Sequence, residues 1–218
     1  MTENAMTGKN APKAICRTSS EEETLRLGRV LGRHLAPGTT VLLYGDLGAG
    51  KTALVRGVGE ALGASRVRSP SFTLVNEYRT NTIELAHADL YRLEPGGAEE
   101  LALEEYPANG SVLLVEWAER WDSPPRDEVL KIEIEIEPGI DMGIAAGGET
   151  GRRFAFFPSG AGVGLMLEEM MREINSDLTW FCYKRLKIFL DSEPFLAILA
   201  LGFLPEFTIT GDMGEEKS

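Results

Sequence analysis

Eight consecutive residues, Gly45-Asp46-Leu47-Gly48-Ala49-Gly50-Lys51-Thr52, constrain this chain more than any others. They satisfy the phosphate-loop pattern G-x-x-x-x-G-K-[ST] at every position. The flanks agree with it. The apolar run Val41-Leu42-Leu43-Tyr44 precedes the loop. A helix-period stretch follows, with Leu54, Val55, Val58, Ala61 and Leu62 on one face and Gly63 as a stop. A buried strand, a glycine turn and a helix in that order are the setting in which such a loop works. Gly45, Gly48 and Gly50 let the backbone turn tightly beside Ala49 and aim successive N–H groups inward. The helix start adds partial positive charge. Lys51 can reach the β- and γ-phosphates of a nucleotide, and the Thr52 hydroxyl can ligate Mg²⁺. A central, mostly parallel sheet with antiparallel additions, flanked by helices, is the α/β P-loop NTPase fold this pattern predicts.

Charge narrows the partners. The formal net charge of −12 opposes a direct grip on a polyanion, because nucleic-acid affinity rests mainly on Lys and Arg at phosphates. Cys16 and Cys182 form no C-x-x-C pair, and with His34 and His87 the only histidines, a His-rich metal site is excluded. The N-terminus lacks an apolar signal segment, and the longest apolar run, Phe195 to Leu204, is about half a membrane span. A cytoplasmic protein with no membrane partner is expected.

Along the chain, residues 1–13 read as a disordered tail, 14–174 as the P-loop ATPase domain and 175–218 as a C-terminal extension of open role. Ala14 to Arg17 is a short first strand. Ser20 and Glu23 suggest a capping box before a helix carrying Leu27, Val30, Leu31 and Leu35, which ends at Pro37-Gly38. Leu74 to Arg79 and Thr82 to Tyr91 are strand-like, with Thr80-Asn81 as a hairpin turn. A short helix is expected near Ala98 to Tyr106, and a buried strand at Val112 to Val115. Ile132, Ile134 and Ile136 alternate with Glu133, Glu135 and Glu137, as in a strand with one solvated face. Residues 138–151 are a Gly-rich loop, Arg152 to Phe157 a last strand, and Val163 to Ile174 a core-packed helix. The 175–218 segment suits either a helical hairpin or a partner surface.

A phosphate loop binds nucleotide without saying what the energy is for. A second acid is needed near Mg²⁺, usually at the end of a buried strand. Glu116 ends the Val112–Val115 run, and Asp89 ends the Ile83–Ala88 run. His87, Asp89 and Tyr91 share a face if that run is extended. His87 is either a packed histidine or a catalytic one. Ser69, Ser71 and Thr73 suit a mobile switch loop that senses the γ-phosphate, or an ordinary hydroxyl-rich turn. Trp117 beside Glu116 is either packing or a sensor of nucleotide state. Arg66 and Arg68 meet phosphate, a partner or solvent.

Four ordered motifs then carry a resemblance. They are Gly45 to Thr52, Ser69-Pro-Ser-Phe72 with Asn76-Glu-Tyr78, His87-Ala-Asp-Leu-Tyr-Arg92 and Val115-Glu-Trp-Ala-Glu119. Together they resemble the TsaE (YjeE) family over about residues 14–174. The resemblance implies Mg-ATP binding and weak intrinsic hydrolysis to ADP and phosphate. It implies work with the TsaB–TsaD pair, which transfers threonylcarbamoyl to adenosine 37 of tRNA, so tRNA would be met only through the complex. It implies Mg²⁺ held by Thr52 and Glu116, and a role for Asp89 in hydrolysis beside Lys51. By the same resemblance Ser20, Glu21 and Arg153 are nucleotide contacts, Thr73 is expected to be one from its place in the switch loop, and the family's Ser-Pro-Thr-Phe motif reads Ser-Pro-Ser-Phe here. The alternatives are a small P-loop metabolite kinase, for which no clear Arg-rich lid is visible, and a GTPase-like switch, which lacks its Asn-Lys-x-Asp pattern.

Overall fold

The computed structural model describes residues 11–70, 73–80, 82–94, 96–137 and 151–176. In chain order the elements are β1 (Ala14–Thr18), α1 (Glu21–His34), β2 (Thr40–Tyr44), α2 (Lys51–Leu62), β3 (Val75–Tyr78), β4 (Leu85–Asp89), α3 (Glu105–Ala108), β5 (Val112–Glu116), β6 (Val129–Glu137), β7 (Gly151–Ser159) and α4 (Ala161–Ser176). The strands form one sheet of seven in the order β1-β7-β6-β2-β5-β4-β3. β6, β2, β5 and β4 pair in parallel, while β3, β7 and β1 join antiparallel. Ser71, Phe72, Asn81 of the expected hairpin turn, loop residues 138–150, most of the N-terminal tail and nearly all of the 175–218 extension, Cys182 included, lie outside the described residues.

Successive strand side chains point to opposite faces, and the two faces are covered differently. Val41, Leu43, Leu85, Leu114, Leu130, Ile132, Phe154 and Phe156 face the larger core, which the apolar stripes of α1, α2 and α4 complete. Leu42, Ala86, Ala88, Leu113 and Val115 face a smaller cluster closed by Leu90, Ala98, Leu103, Ala118 and Trp121. α4 shows which local preference wins. Gly162 and Gly164 in its first turn each cost about 1 kcal/mol relative to Ala. Val163, Met166, Leu167, Met170, Met171 and Ile174 are all buried, at about 1.5–3 kcal/mol each, so tertiary burial holds the helix. The Glu128 carboxylate starts it, accepting the Gly162 and Val163 N–H groups at 3.2 and 3.0 Å.

α1 and α2 cross at backbone contact, and this crossing sets where the phosphate loop lies. A methyl group on Gly57 would come 2.1 Å from the Leu25 carbonyl oxygen, and one on Gly28 would come 2.3 Å from that of Leu54.

Three details differ from the sequence reading. Ser20 caps α1 by accepting the Glu23 N–H at 3.1 Å, but the Glu23 carboxylate turns back to the N–H of Ser19, at 2.6 Å, rather than to that of Ser20. Residues 98–106 are not one helix: a 3-10 turn at Glu99–Leu101 gives way to the short α3, with Ala102 between them at φ +47°. Ala98 and Leu103 are both buried. Five positions apart, they would lie about 140° around a continuous helix, so only a break buries both. Ile136 is 45% exposed, because β6 outruns the core there.

Arg33 and His34, at the end of α1, hold Glu173 of α4. Arg33 donates to one carboxylate oxygen, and His34 Nε2 lies 2.7 Å from the other. Above all, the hydrogen bond from Arg33 keeps the Glu173 carboxyl below its usual 4.5. A depressed carboxyl stabilises the fold above its unfolded value and loses that contribution as pH falls through the folded value. The pair is more than a third exposed, so solvent screening limits it to about 0.5 kcal/mol. Glu173→Gln is therefore expected to be slightly less stable than the parent at pH 7, and the difference should shrink as pH falls below 4.5 and close once the carboxyl is protonated in the fold. Paired thermal melts from pH 3 to 7 check this; a gap that is constant with pH overturns it.

Candidate nucleotide site

The loop Gly45–Gly50 joins the end of β2 to the start of α2. Gly45, Gly48 and Gly50 have φ of +145°, +81° and +104°. At Gly45 the sheet also forbids a side chain, since a Cβ there would sit 2.4 Å from the Ile134 carbonyl oxygen. The turn is a shallow cradle on the helix start, and Leu47 at its tip is 74% exposed. A cavity of about 470 Å³ opens over it, its lining including Glu21, Gly48, Ala49, Gly50, Lys51, Thr52, Ser69, Asp89, Arg92, Glu116, Trp117 and Arg152.

Lys51 is only 5% exposed. Its ammonium donates to the carbonyls of Gly45 and Asp46 at 2.5 and 3.0 Å. It also lies 3.6 Å from the centroid of the Trp117 ring, a cation–π contact. Burial holds this ammonium below its usual range, and Glu116 is the strongest of the carboxylates that oppose the shift. Trp117 reaches this position from a left-handed backbone, φ +59°, directly after β5. It also packs on Tyr91, with ring centroids 4.8 Å apart.

The acids converge for a reason of register. Asp89 ends β4 and Glu116 ends β5, and the parallel pairing sets them directly opposite each other. Both share strand parity with residues of the larger core, Leu85 and Leu114, so both face the layer that contains α2. Glu116 Oε2 accepts the Thr52 hydroxyl at 2.9 Å, and Oε1 lies 2.9 Å from His87 Nε2. Asp89 Oδ2 accepts the Ser69 hydroxyl at 2.7 Å, and Oδ1 accepts the Tyr91 N–H at 3.1 Å. Arg66 and Arg68 are exposed and line an adjoining hollow of about 600 Å³ that shares Thr52, Arg56 and Ser69 with the first.

Other expected site residues lie apart from the cavity. The Ser20 hydroxyl is engaged in the α1 cap, although its neighbour Glu21 lines the cavity. Thr73 donates to Asn76 Oδ1 at 2.8 Å. Arg153 pairs with Glu135 at 3.1 Å, whereas its neighbour Arg152 packs beside Gly50, where a methyl group would meet Arg152 Cδ at 3.1 Å. Arg152, which the sequence reading did not name as a site residue, lines the cavity. It has the parity of Phe154 and Phe156, the inward side of β7.

β2, the glycine turn, α2 and the neighbouring acid-tipped β5 make this a P-loop NTPase fold. Residues 18–141 match the family described as threonylcarbamoyl adenosine biosynthesis protein TsaE. The tRNA threonylcarbamoyladenosine biosynthesis protein TsaE of Bacillus subtilis is 36% identical over 160 residues, covering 73% of this chain and 94% of the relative. The protein of the same name from a Nostoc species is 46% identical over 112 residues, covering 49% of this chain and 69% of the relative. The crystal structure of Bacillus subtilis YdiB matches with a TM-score of 0.59 at 30% identity, over 76% of this chain and 99% of that one. The chain belongs to the TsaE family. Among the described residues, no helix is long and apolar enough to cross a membrane.

Proposed function

We propose that this chain is a magnesium-dependent ATPase of low intrinsic rate that acts with the TsaB and TsaD proteins in forming the threonylcarbamoyl group on adenosine 37 of tRNA. The observation that carries the reading is the 2.9 Å contact between Thr52 and Glu116 at the mouth of the glycine cradle. Thr52 follows the phosphate-binding lysine, so this hydroxyl–carboxylate pair stands where a triphosphate's metal belongs. The donor chemistry fits Mg²⁺. Among the described residues there is no cluster of three or more His, Cys, Asp or Glu that would form an all-protein cage. A hard cation that takes one or two protein oxygens and completes its shell with phosphates and water suits such a corner.

In this reading Thr52 and Glu116 would hold Mg²⁺, which supplies charge neutralisation across the β- and γ-phosphates. Loop N–H groups and the α2 N-terminus cradle phosphate oxygens. Lys51 exchanges its loop carbonyls for phosphate oxygens. Asp89 orients the attacking water, and its bond to Ser69 links the chain after α2 to the same event. The net charge of −12 leaves the grip on tRNA to the partners, in the cytoplasm.

The test is phosphate release from ATP by this chain alone and with TsaB and TsaD. Slow, Mg²⁺-requiring release that the pair stimulates is the expected result. ATP consumption only when a small-molecule phosphate acceptor is added would overturn the reading in favour of a kinase.

A further inference from the structure

Glu116 is 2% exposed and His87 is fully buried. A carboxylate so far from water needs a donor on each oxygen. One donor, the Thr52 hydroxyl, belongs to the nucleotide corner. The other is His87, whose Nε2 lies 2.9 Å from Oε1. The ring's second nitrogen, Nδ1, is buried without a hydrogen-bond partner. The imidazole therefore spends its polar capacity on Glu116 alone. Its place in the sheet explains the reach: His87 pairs with Leu114 across the parallel ladder, and Glu116 is two residues further along on the same face. The ring comes from a strand interior, between Ala86 and Ala88, so the backbone beneath it is fixed on both sides by β3 and β5.

We propose that His87 is a positioning residue: by donating from Nε2 to Oε1 it pins the Glu116 carboxylate so that Oε2 stays at Thr52 and the pair is set to share a cation. This inference rests on the magnesium–nucleotide reading above. It assigns His87 no contact with nucleotide and no proton transfer. Hydrogen-bonded partners that orient a ligating carboxylate are typically worth about 10- to 100-fold in metal affinity.

Two variants separate a positioning role from a packing one. His87→Leu fills the site and deletes the donor; His87→Gln keeps an N–H at the reach of Nε2. Calorimetric titration of each full-length variant with ATP, in Mg²⁺ and then in EDTA, reads the metal-dependent gain in affinity without any turnover. The expected result is that His87→Leu loses that gain by about 10-fold or more, binding ATP in EDTA like the parent, and that His87→Gln restores it to within about 3-fold of the parent. The inference is overturned if His87→Leu keeps the parent's Mg²⁺ gain, or if His87→Gln is as impaired as His87→Leu while both melt like the parent. Should His87→Leu not fold, His87→Asn, whose amide is too short to reach Oε1, takes its place against His87→Gln under the same criteria. If the parent itself shows no Mg²⁺-dependent ATP binding, the nucleotide reading fails, which is a different outcome from a parent that shows the gain and variants that share it.

Discussion

Lys51→Ala is expected to weaken Mg-ATP binding by at least about 100-fold. Hydrogen bonds to charged groups are each worth about 1.5–3 kcal/mol, so an ammonium shared between two phosphates supplies about 3–6 kcal/mol, and each 1.4 kcal/mol is tenfold. The local charge balance adds to this. Lys51 sits in the field of Glu116, Glu119, Asp89 and Asp46. Without it a triphosphate and its metal would meet those carboxylates with one fewer cation in the cradle. The side chain is also pre-placed. Its bonds to the Gly45 and Asp46 carbonyls and the Trp117 ring hold it at the cradle, so little rotamer freedom remains to be lost on binding. Calorimetry with Mg-ATP checks the value, and circular dichroism checks that the fold is intact. Parent-like affinity in a folded variant would remove the phosphate cradle as the basis of function.

The sequence made the site legible where chemistry and periodicity coincide. The phosphate loop requires glycine at particular turns, and those turns are present. The runs ending at Asp89 and Glu116 are short and largely apolar, and they form adjacent parallel strands whose ends meet. Side-chain parity alone then predicts that both acids face α2. What could not be read depends on pairing between distant segments. Nothing in the neighbourhood of His87 announces that its ring reaches Glu116, because that contact needs the β4–β5 register. The close crossing of α1 and α2 at Gly28 and Gly57 was equally hidden, since a glycine in a helical pattern looks like a mere weakness until the partner backbone is placed. The Glu128 cap of α4 comes from another element altogether. The sequence reading named Arg153, whereas the strand parity of β7 turns its neighbour Arg152 toward the cavity.

Asp89→Asn is expected to separate hydrolysis from binding, lowering the rate of phosphate release by about 10²- to 10⁴-fold while leaving Mg-ATP affinity within a few-fold of the parent. The substitution keeps the shape of the side chain. An amide oxygen can still accept either the Ser69 hydroxyl or the Tyr91 N–H, which the carboxylate now takes on separate oxygens at 2.7 and 3.1 Å. What disappears is the negative charge and the basicity needed to orient and deprotonate water. Binding should survive because the contacts assigned to the triphosphate and its metal come from Lys51, Thr52, Glu116 and the loop backbone. Single-turnover hydrolysis and equilibrium titration on one preparation read the two quantities apart. The opposite pattern would be equally informative. If Asp89→Asn abolished the Mg²⁺ dependence of binding and Glu116→Gln left it intact, the metal would belong to Asp89, and the Thr52–Glu116 contact would be a helix-to-strand tie rather than a cation corner. The two acids are direct partners across one ladder, so the paired substitutions compare carboxylates from neighbouring strand ends. The Thr52 hydroxyl, bonded to Glu116 at 2.9 Å, is the contact on which the proposal gives the metal to Glu116 and the water to Asp89.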